Sequence, residues 1–299
     1  MGRRGLWTGL RLEQISGHLG ELGLSACPNT VRRLLDELGY ALHANRKSLS
    51  GPQSPDRDCQ FQYIGDQRKQ FTQEGLPIIS VDTKKKEQVG QFKNAGRIWS
   101  REALCVNDHD FPSLASGVAI PRGLYDVQAN RGSVLLGTSH DTPQFAVDAI
   151  VDWWRSEGRR RYPQAAALLI LADTGGSNSA RCRLWKYALQ EALVDRYGLT
   201  VTVCHYPTGA SKWNPIEHRV FSEISKQCAG LPFSDYDTIV HRIAGTRTRT
   251  GLQVKCTLSA KHYATKIQVS DDQMNSLDLL KHDVLPEWNY TLFPRLSRN

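Results

Sequence analysis

The order of apolar runs along the chain predicts an α/β fold: a mixed sheet flanked by helices, with a short helical segment before it and a small α+β extension after it. Three observations carry this expectation. Two runs of buried-strand character, Ala167 to Ala172 and Leu199 to Cys204, each end in a polar turn and alternate with helical stretches. An earlier apolar run, PIISV, ends at Asp82 in the same manner. Strands that precede such an alternation suit an antiparallel meander, whereas alternation itself suits parallel neighbours covered on both faces.

Composition narrows the class. A chain of 299 residues has room for two domains. A formal net charge of +8 and a pI near 9.2 favour a polyanionic partner. No apolar run approaches the roughly 20 residues that span a bilayer, and MGRRGLWTGL lacks the apolar core of a signal peptide. Nucleic acid is therefore the expected partner rather than a membrane. Seven cysteines form no CxxC pair and leave one over, which suits reduced thiols in a cytoplasm.

Residues 1–43 read as a helix-turn-helix segment. Leu12, Ile15 and Leu19 recur at helical spacing, GLSACPN makes a loop, and Val31, Leu34, Leu35 and Leu38 repeat the pattern. Asn29 or Thr30 can cap the second helix and Gly39 can end it. Arg32 and Arg33 would then face DNA; a plain helical hairpin with a solvated basic face is the alternative. Residues 44–72 comprise a linker rich in Gly, Pro and Ser, ANRKSLSGPQSPDRDCQ, and a connecting helix from Gln60 to Gln73.

The mixed-sheet domain is expected over 73–230. Its first strand ends at Asp82, and Lys84 beside Lys85 and Lys86 would help hold phosphate or form a solvated hairpin tip. A second strand is expected near Ile98 to Val106. The stretch HDFPSLASGVAIPRGLYDVQANRG reads as loop, and SVLLG as the third strand. A helix follows with Thr142 as cap and Pro143 first, running through Phe145, Ile150, Trp153 and Trp154 to the basic run at 158–161. His140 and Asp141 at this junction could add to a polar site or serve local capping. Next come the strand to Asp173, a helix from about Ala180 to Tyr197, the strand to Cys204, and a helix with Asn214 as cap, Pro215 first and Glu217 third. In the basic extension, 231–299, a helix from Ser234 to Ile243 precedes a β-hairpin over TGLQVKCTL and AKHYATKIQVS. Between His241 and Ile267 lie Arg242, Arg247, Arg249, Lys255, Lys261 and Lys266 with no acidic residue, a pattern suited to a DNA backbone groove, with a solvated basic surface as the alternative.

Three strands, helix, strand, helix, strand, helix is the ribonuclease H-like order. In that order the carboxylates ending the first and fourth strands, Asp82 and Asp173, become neighbours, and the last helix lays Glu217 across them. Each acid alone has an ordinary explanation as a turn former or a helix-start residue. Together they suit a site for divalent metal, which needs acidic ligands converging from separate elements.

The blocks SVDTKKKEQVGQFKNAGR, YDV with Asn130 and Gly132, GTSHDT, LLILADTGGSN with Arg181 and Leu184-Trp185-Lys186, HYPTGASKWNPIEHR and WNYTLFP closely resemble the DDE transposases of bacterial insertion sequences, specifically the ISAzo-type group, distantly similar to mariner-like enzymes. The resemblance runs from about Trp7 to Pro294. It implies that Asp82, Asp173 and Glu217 are the catalytic residues and hold two Mg2+ (or Mn2+) ions. It also implies cleavage at the element's terminal inverted repeats and transfer of the freed 3′-hydroxyl into target DNA. Double-stranded DNA and a homo-oligomer assembled on it follow as partners, in the bacterial cytoplasm with the nucleoid, with no membrane and no nucleotide cofactor. Lys212 and Trp213 become contacts to backbone and base, with Trp213 as a hydrophobic lid over the helix start the alternative. Thr174 stands where the family usually has glycine, and relatives begin earlier, so the helix-turn-helix is expected to be truncated. A nuclease of the same fold without strand transfer, and a catalytically inert DNA-binding remnant, are the alternatives.

Overall fold

The computed structural model describes residues 9–42 and 55–295; most of the expected linker lies outside the described residues. The chain forms two compact units, Met1–Gln53 and Ser54–Asn299.

The first unit holds two helices, α1 (Leu12–Glu21) and α2 (Pro28–Glu37). Proline opens α2, where its fixed φ and missing N–H are harmless, so the cap position falls on Cys27 and not on Asn29 or Thr30. Gly39, at φ +78°, follows the end of the helix.

The second unit is built on a nine-stranded mixed sheet. Its strands are β1 (Ile78–Thr83), β2 (Glu87–Val89), β3 (Gly117–Asp126), β4 (Arg131–Gly137), β5 (Ala167–Asp173), β6 (Thr200–Tyr206), β7 (Gln253–Ser259), β8 (Leu279–Lys281) and β9 (Asn289–Leu292). They lie in the order β7-β4-β3-β1-β5-β6-β9-β8, with β2 paired to β3. β1, β3 and β4 are antiparallel neighbours, while β5 and β6 run parallel to β1. The mixed sheet flanked by helices, with β1 beside β5, is the one the sequence predicts.

Helices cover both faces. α4 (Pro143–Trp153) continues through a π turn, Trp154–Gly158, into α5 (Arg159–Arg161). α6 (Arg183–Leu189) likewise runs through a π turn, Gln190–Val194, into α7 (Asp195–Tyr197). Apolar side chains of these two helical stretches pack on Ile79, Val81, Leu168, Ile170, Ala172, Val201 and Val203. On the opposite face, Ile64 and Phe71 of α3 (Arg57–Gln73) meet Ile78, Leu169, Leu171 and Cys204. Beside them the π turn Glu217–Phe221, α8 (Ser222–Gln227) and α9 (Tyr236–Ala244) cover β3, β4 and β7. A last short helix, α10 (Asp271–Asn275), carries the Ser270 capping box.

Four expectations are corrected. α3 starts at Arg57, so residues 57–60 are helix, not linker. The second strand is Glu87–Val89; among the described residues no strand forms at 98–106. The stretch read as loop contains β3, the ten-residue strand at the middle of the sheet. The hairpin expected over 250–270 does not form. Its first half is β7, which pairs parallel with β4, while β9 pairs with β6, so the residues after 231 furnish strands on both flanks of the sheet. An isolated two-stranded hairpin is marginally stable in water, whereas β7 extends an existing sheet and buries Val254 and Cys256 on it.

Candidate functional site

Register alone brings two of the expected carboxylates together. Val81 of β1 pairs with Ala172 of β5, so Asp82 and Asp173 follow side by side at the strand ends. Val81 and Ala172 point into the core under α4 and α6. Alternation therefore turns Asp82 and Asp173 to the opposite face.

The third arrives by close packing. Asp82 pairs across β1–β3 with Gly123. A Cβ on Gly123 would stand 2.4 Å from Phe221 Cε1 and 2.9 Å from Ile216 Cδ1. Bare backbone at that position lets the π turn settle on the sheet, where the Glu217 carboxyl hydrogen-bonds to Asp82. Widened helical turns of this kind often mark functional sites.

Tertiary contacts fix the start of this helix. Buried Ser80 of β1 accepts from the Ile216 N–H at 3.1 Å and donates to Asn214 Oδ1. Asn214, fully buried, donates its amide to Asp173 Oδ1 at 3.2 Å and to the Val81 carbonyl at 3.3 Å. Asn214 thus occupies the cap position but serves as a strut to Asp173, and Ser80 does the capping. Behind Asp173, fully buried His205 pairs through Nδ1 with its main-chain carbonyl at 2.9 Å. Burial pulls His205 down to about 4, so the ring is neutral at pH 7 and Nδ1 carries the donated proton.

Two further groups complete the polar shell. The Arg122 Nη1 donates to Thr83 Oγ1 at 2.9 Å, Asn178 Oδ1 at 3.0 Å and Ser177 Oγ at 3.2 Å. Asp141 accepts from Thr83 Oγ1 at 3.4 Å, while Thr142 caps α4 by accepting from the Phe145 N–H. Asp141 is therefore not spent on capping. Arg122, Ser80, Thr83, Asn178 and His205 were not singled out from the sequence.

Burial pushes all three carboxyls toward the protonated form. Asp82 is raised, against the pull of the Thr83 N–H and Arg122. Asp173 rises to about 6, with the Asp82 charge adding to burial and Asn214 opposing it. Glu217 rises to about 7, again by burial first and Asp82 second. Crowded, desolvated like charges behave this way when no cation offsets them. Among the described residues, no three His, Cys, Asp or Glu side chains form a ready-made metal cage. The donors are all carboxylate oxygens, which fit Mg2+ or Mn2+; Mg2+ commonly completes its shell with water and phosphate oxygens rather than with protein alone.

The remaining expected residues are scattered. Lys84 is ion-paired with Glu87 at 2.7 Å and largely buried. Lys212 is exposed, its Nζ over the Trp213 ring at 5.6 Å, and Trp213 leans edge-on against Phe61. His140 is exposed beside His262. Arg247 and Arg249 are exposed in the loop before β7, whose first residue, Gln253, pairs with Arg131 at the far end of β4 from the acids. In the first unit Arg32 is exposed and Arg33 pairs with Glu37 at 2.7 Å. Thr174 reaches Thr208 Oγ1 at 3.4 Å. All seven cysteines are free, and no helix among the described residues is long and apolar enough to cross a membrane.

Residues 3–294 match a family described as Rhodopirellula transposase DDE domain. Among curated proteins none matches the chain. Similar solved structures include a Mos1 transposase paired-end complex with left transposon end, at 12% identity and TM-score 0.46, covering 80% of this chain and 72% of that one. A Mos1 strand transfer complex matches at 14% and 0.46 (80% and 71% covered), and a Mos1 mariner paired-end complex with Mn at 13% and 0.44 (80% and 72% covered).

Proposed function

With the match running over residues 3–294, the chain belongs to this family of DDE transposases, and we propose that it cleaves the ends of an insertion sequence and joins the freed 3′-hydroxyl to target DNA. The observation that carries this reading is the convergence of Asp82, Asp173 and Glu217, set by the β1–β5 register and the bare backbone of Gly123. In this reading the three carboxylates hold two Mg2+ or Mn2+ ions. Such ions, when bound, activate water and stabilise the leaving oxygen in an in-line displacement.

The protein's own part is positional. Asn214 orients one oxygen of Asp173, and His205 anchors the strand end behind it. Lys212 and Trp213, exposed on the turn just before Glu217, would meet the DNA backbone and a base. The chemistry calls for no Ser, Tyr or Cys nucleophile and no covalent enzyme intermediate. Residues 1–43, with Arg32 and Arg33, would read the terminal repeats, and 44–72 would connect them to a catalytic domain over 73–230. The basic residues after 231, Arg247 and Arg249 among them, would contact DNA further along. A homo-oligomer in the bacterial cytoplasm would pair the two element ends.

Asp82→Asn, Asp173→Asn and Glu217→Gln are each expected to abolish end cleavage in Mg2+ or Mn2+ while DNA binding persists. Retained cleavage in any one of them removes that residue from the site. Precleaved ends supplied with target DNA separate a transposase, which gives joined product, from a nuclease, which gives none.

A further inference from the structure

Beneath the acids lies a cation that displacement chemistry does not itself require. Arg122 in β3 is 0% exposed, so it cannot touch DNA. Its three hydrogen bonds all leave from one nitrogen, Nη1, toward Thr83, Ser177 and Asn178. Thr83 directly follows Asp82. Ser177 and Asn178 lie in the short turn Gly176–Asn178 that follows Asp173, and Asn178 bonds back to the Asp173 main-chain carbonyl at 3.3 Å. One nitrogen therefore joins the two segments on which the aspartates stand.

The rest of the guanidinium is poorly served. Among the described residues, Nε and Nη2 have no hydrogen-bond partner. A buried charged donor left unpaired is costly, so fold stability alone gives no reason for arginine here. What surrounds it is negative charge: Asp141, Asp82 and Asp173 all act on it, and Asp141 shares the Thr83 hydroxyl.

We propose that Arg122 is a positioning residue of the acidic site: its Nη1 sets the spacing of Asp82 and Asp173, and its charge holds the acids together before metal binds. The inference rests on the reading of these aspartates as metal-holding groups.

The full-length protein tests it through Arg122→Met and Arg122→Lys. Each is assayed for the Mn2+ concentration that half-saturates a thermal shift, for DNA binding, and for end cleavage. Met fills the space without charge or donors. It should raise the Mn2+ midpoint several-fold and lower cleavage about 100-fold, the scale of a small misplacement of catalytic groups, with DNA binding unchanged. Lysine carries three N–H groups on one nitrogen and can face the same three oxygens, so Arg122→Lys should restore the Mn2+ midpoint and most of the cleavage. Asn178→Ala, which cuts the strut at its other end, should shift the midpoint in the same direction as Met.

Wild-type midpoint and cleavage in Arg122→Met overturn the proposal. So does a loss of melting temperature in Met and Lys alike with no change in midpoint, and so does collapse of all three variants, either of which assigns Arg122 to stability. A wild-type protein whose Mn2+ response depends on Arg122 but which cuts no DNA leaves this inference standing and sinks transposition; no Mn2+ response in the wild type sinks both.

Discussion

Glu217 had an ordinary backbone role open to it. Third in a helix behind Asn-Pro, a glutamate commonly reaches back to the cap N–H, yet its carboxyl meets Asp82 on the strand beneath its turn. The acids and Asn214 were legible because they stand at strand ends and helix starts, where sequence punctuation is strongest. Ser80 was not legible: inside PIISV it reads as strand filler, and its capping role exists only through Ile216, 136 positions away. The site's electrostatics give a prediction at this scale. Asp173 is raised to about 6, by burial and then by Asp82. A raised carboxyl disfavours the ionised fold, so its cost is absent below the unfolded value of about 4 and is fully present above about 6. Asp173→Asn should therefore melt above wild type at pH 7 without metal, by about 2–4 °C for each kcal/mol relieved, and level with it at pH 4. Mg2+ should close the gap by stabilising wild type alone. Calorimetry at the two pH values decides, and a lower melting temperature for Asp173→Asn at pH 7 without metal would count against the charge crowding.

Among the elements, β3 is the longest strand hidden from the sequence. Gly117, Pro121 and Gly123 within ten residues read as loop punctuation, but each has a tertiary reason to be in a strand. β1 pairs with β3 only as far as Arg122, and β2 takes over at Ala119, so Pro121 falls between the two. Its carbonyl accepts from Lys84 on that same side. A proline N–H would point the same way, into the interval between β1 and β2, so its loss costs the ladder little there. Gly123 gives way to Phe221 and Ile216. Missing β3 meant missing Arg122 with it. Gly123→Ala should force those side chains off the sheet, destabilising the unit by about 1–3 kcal/mol, the usual cost of overpacking. Because Glu217 rides on the same turn, cleavage should fall further than DNA binding does. Chemical unfolding beside the two activity assays checks this, and an unperturbed melt with full cleavage would show that the turn has slack.

At the scale of the whole molecule, the mixed sheet and the adjacent ends of β1 and β5 follow from the sequence, whereas residues 231–299 read there as a separate extension. No pattern in β7 or β9 names a partner; pairing with β4 and β6 is a long-range fact that periodicity cannot carry. A chain cut after residue 250 loses β7 beside β4 and β9 beside β6. It is expected to lack a cooperative melt and any response to Mn2+, measured by circular dichroism, whereas a detachable extension would leave both.

The β6–β9 pairing also has a consequence in time. Asn289 at the start of β9 exchanges hydrogen bonds with Gln60 in α3, and Gln60 in turn bonds the His205 carbonyl in β6. The strand next to Asp173 is thus locked by residues from opposite ends of the catalytic unit. During synthesis, β1, β5 and β6 all emerge before residue 289 is available to close that lock. Nascent chains arrested before residue 289 should therefore remain sensitive to protease within β6 and become resistant once Leu292 has emerged. The acidic site would become complete only at the final stage of folding, well after the two helices of the first unit have had time to form.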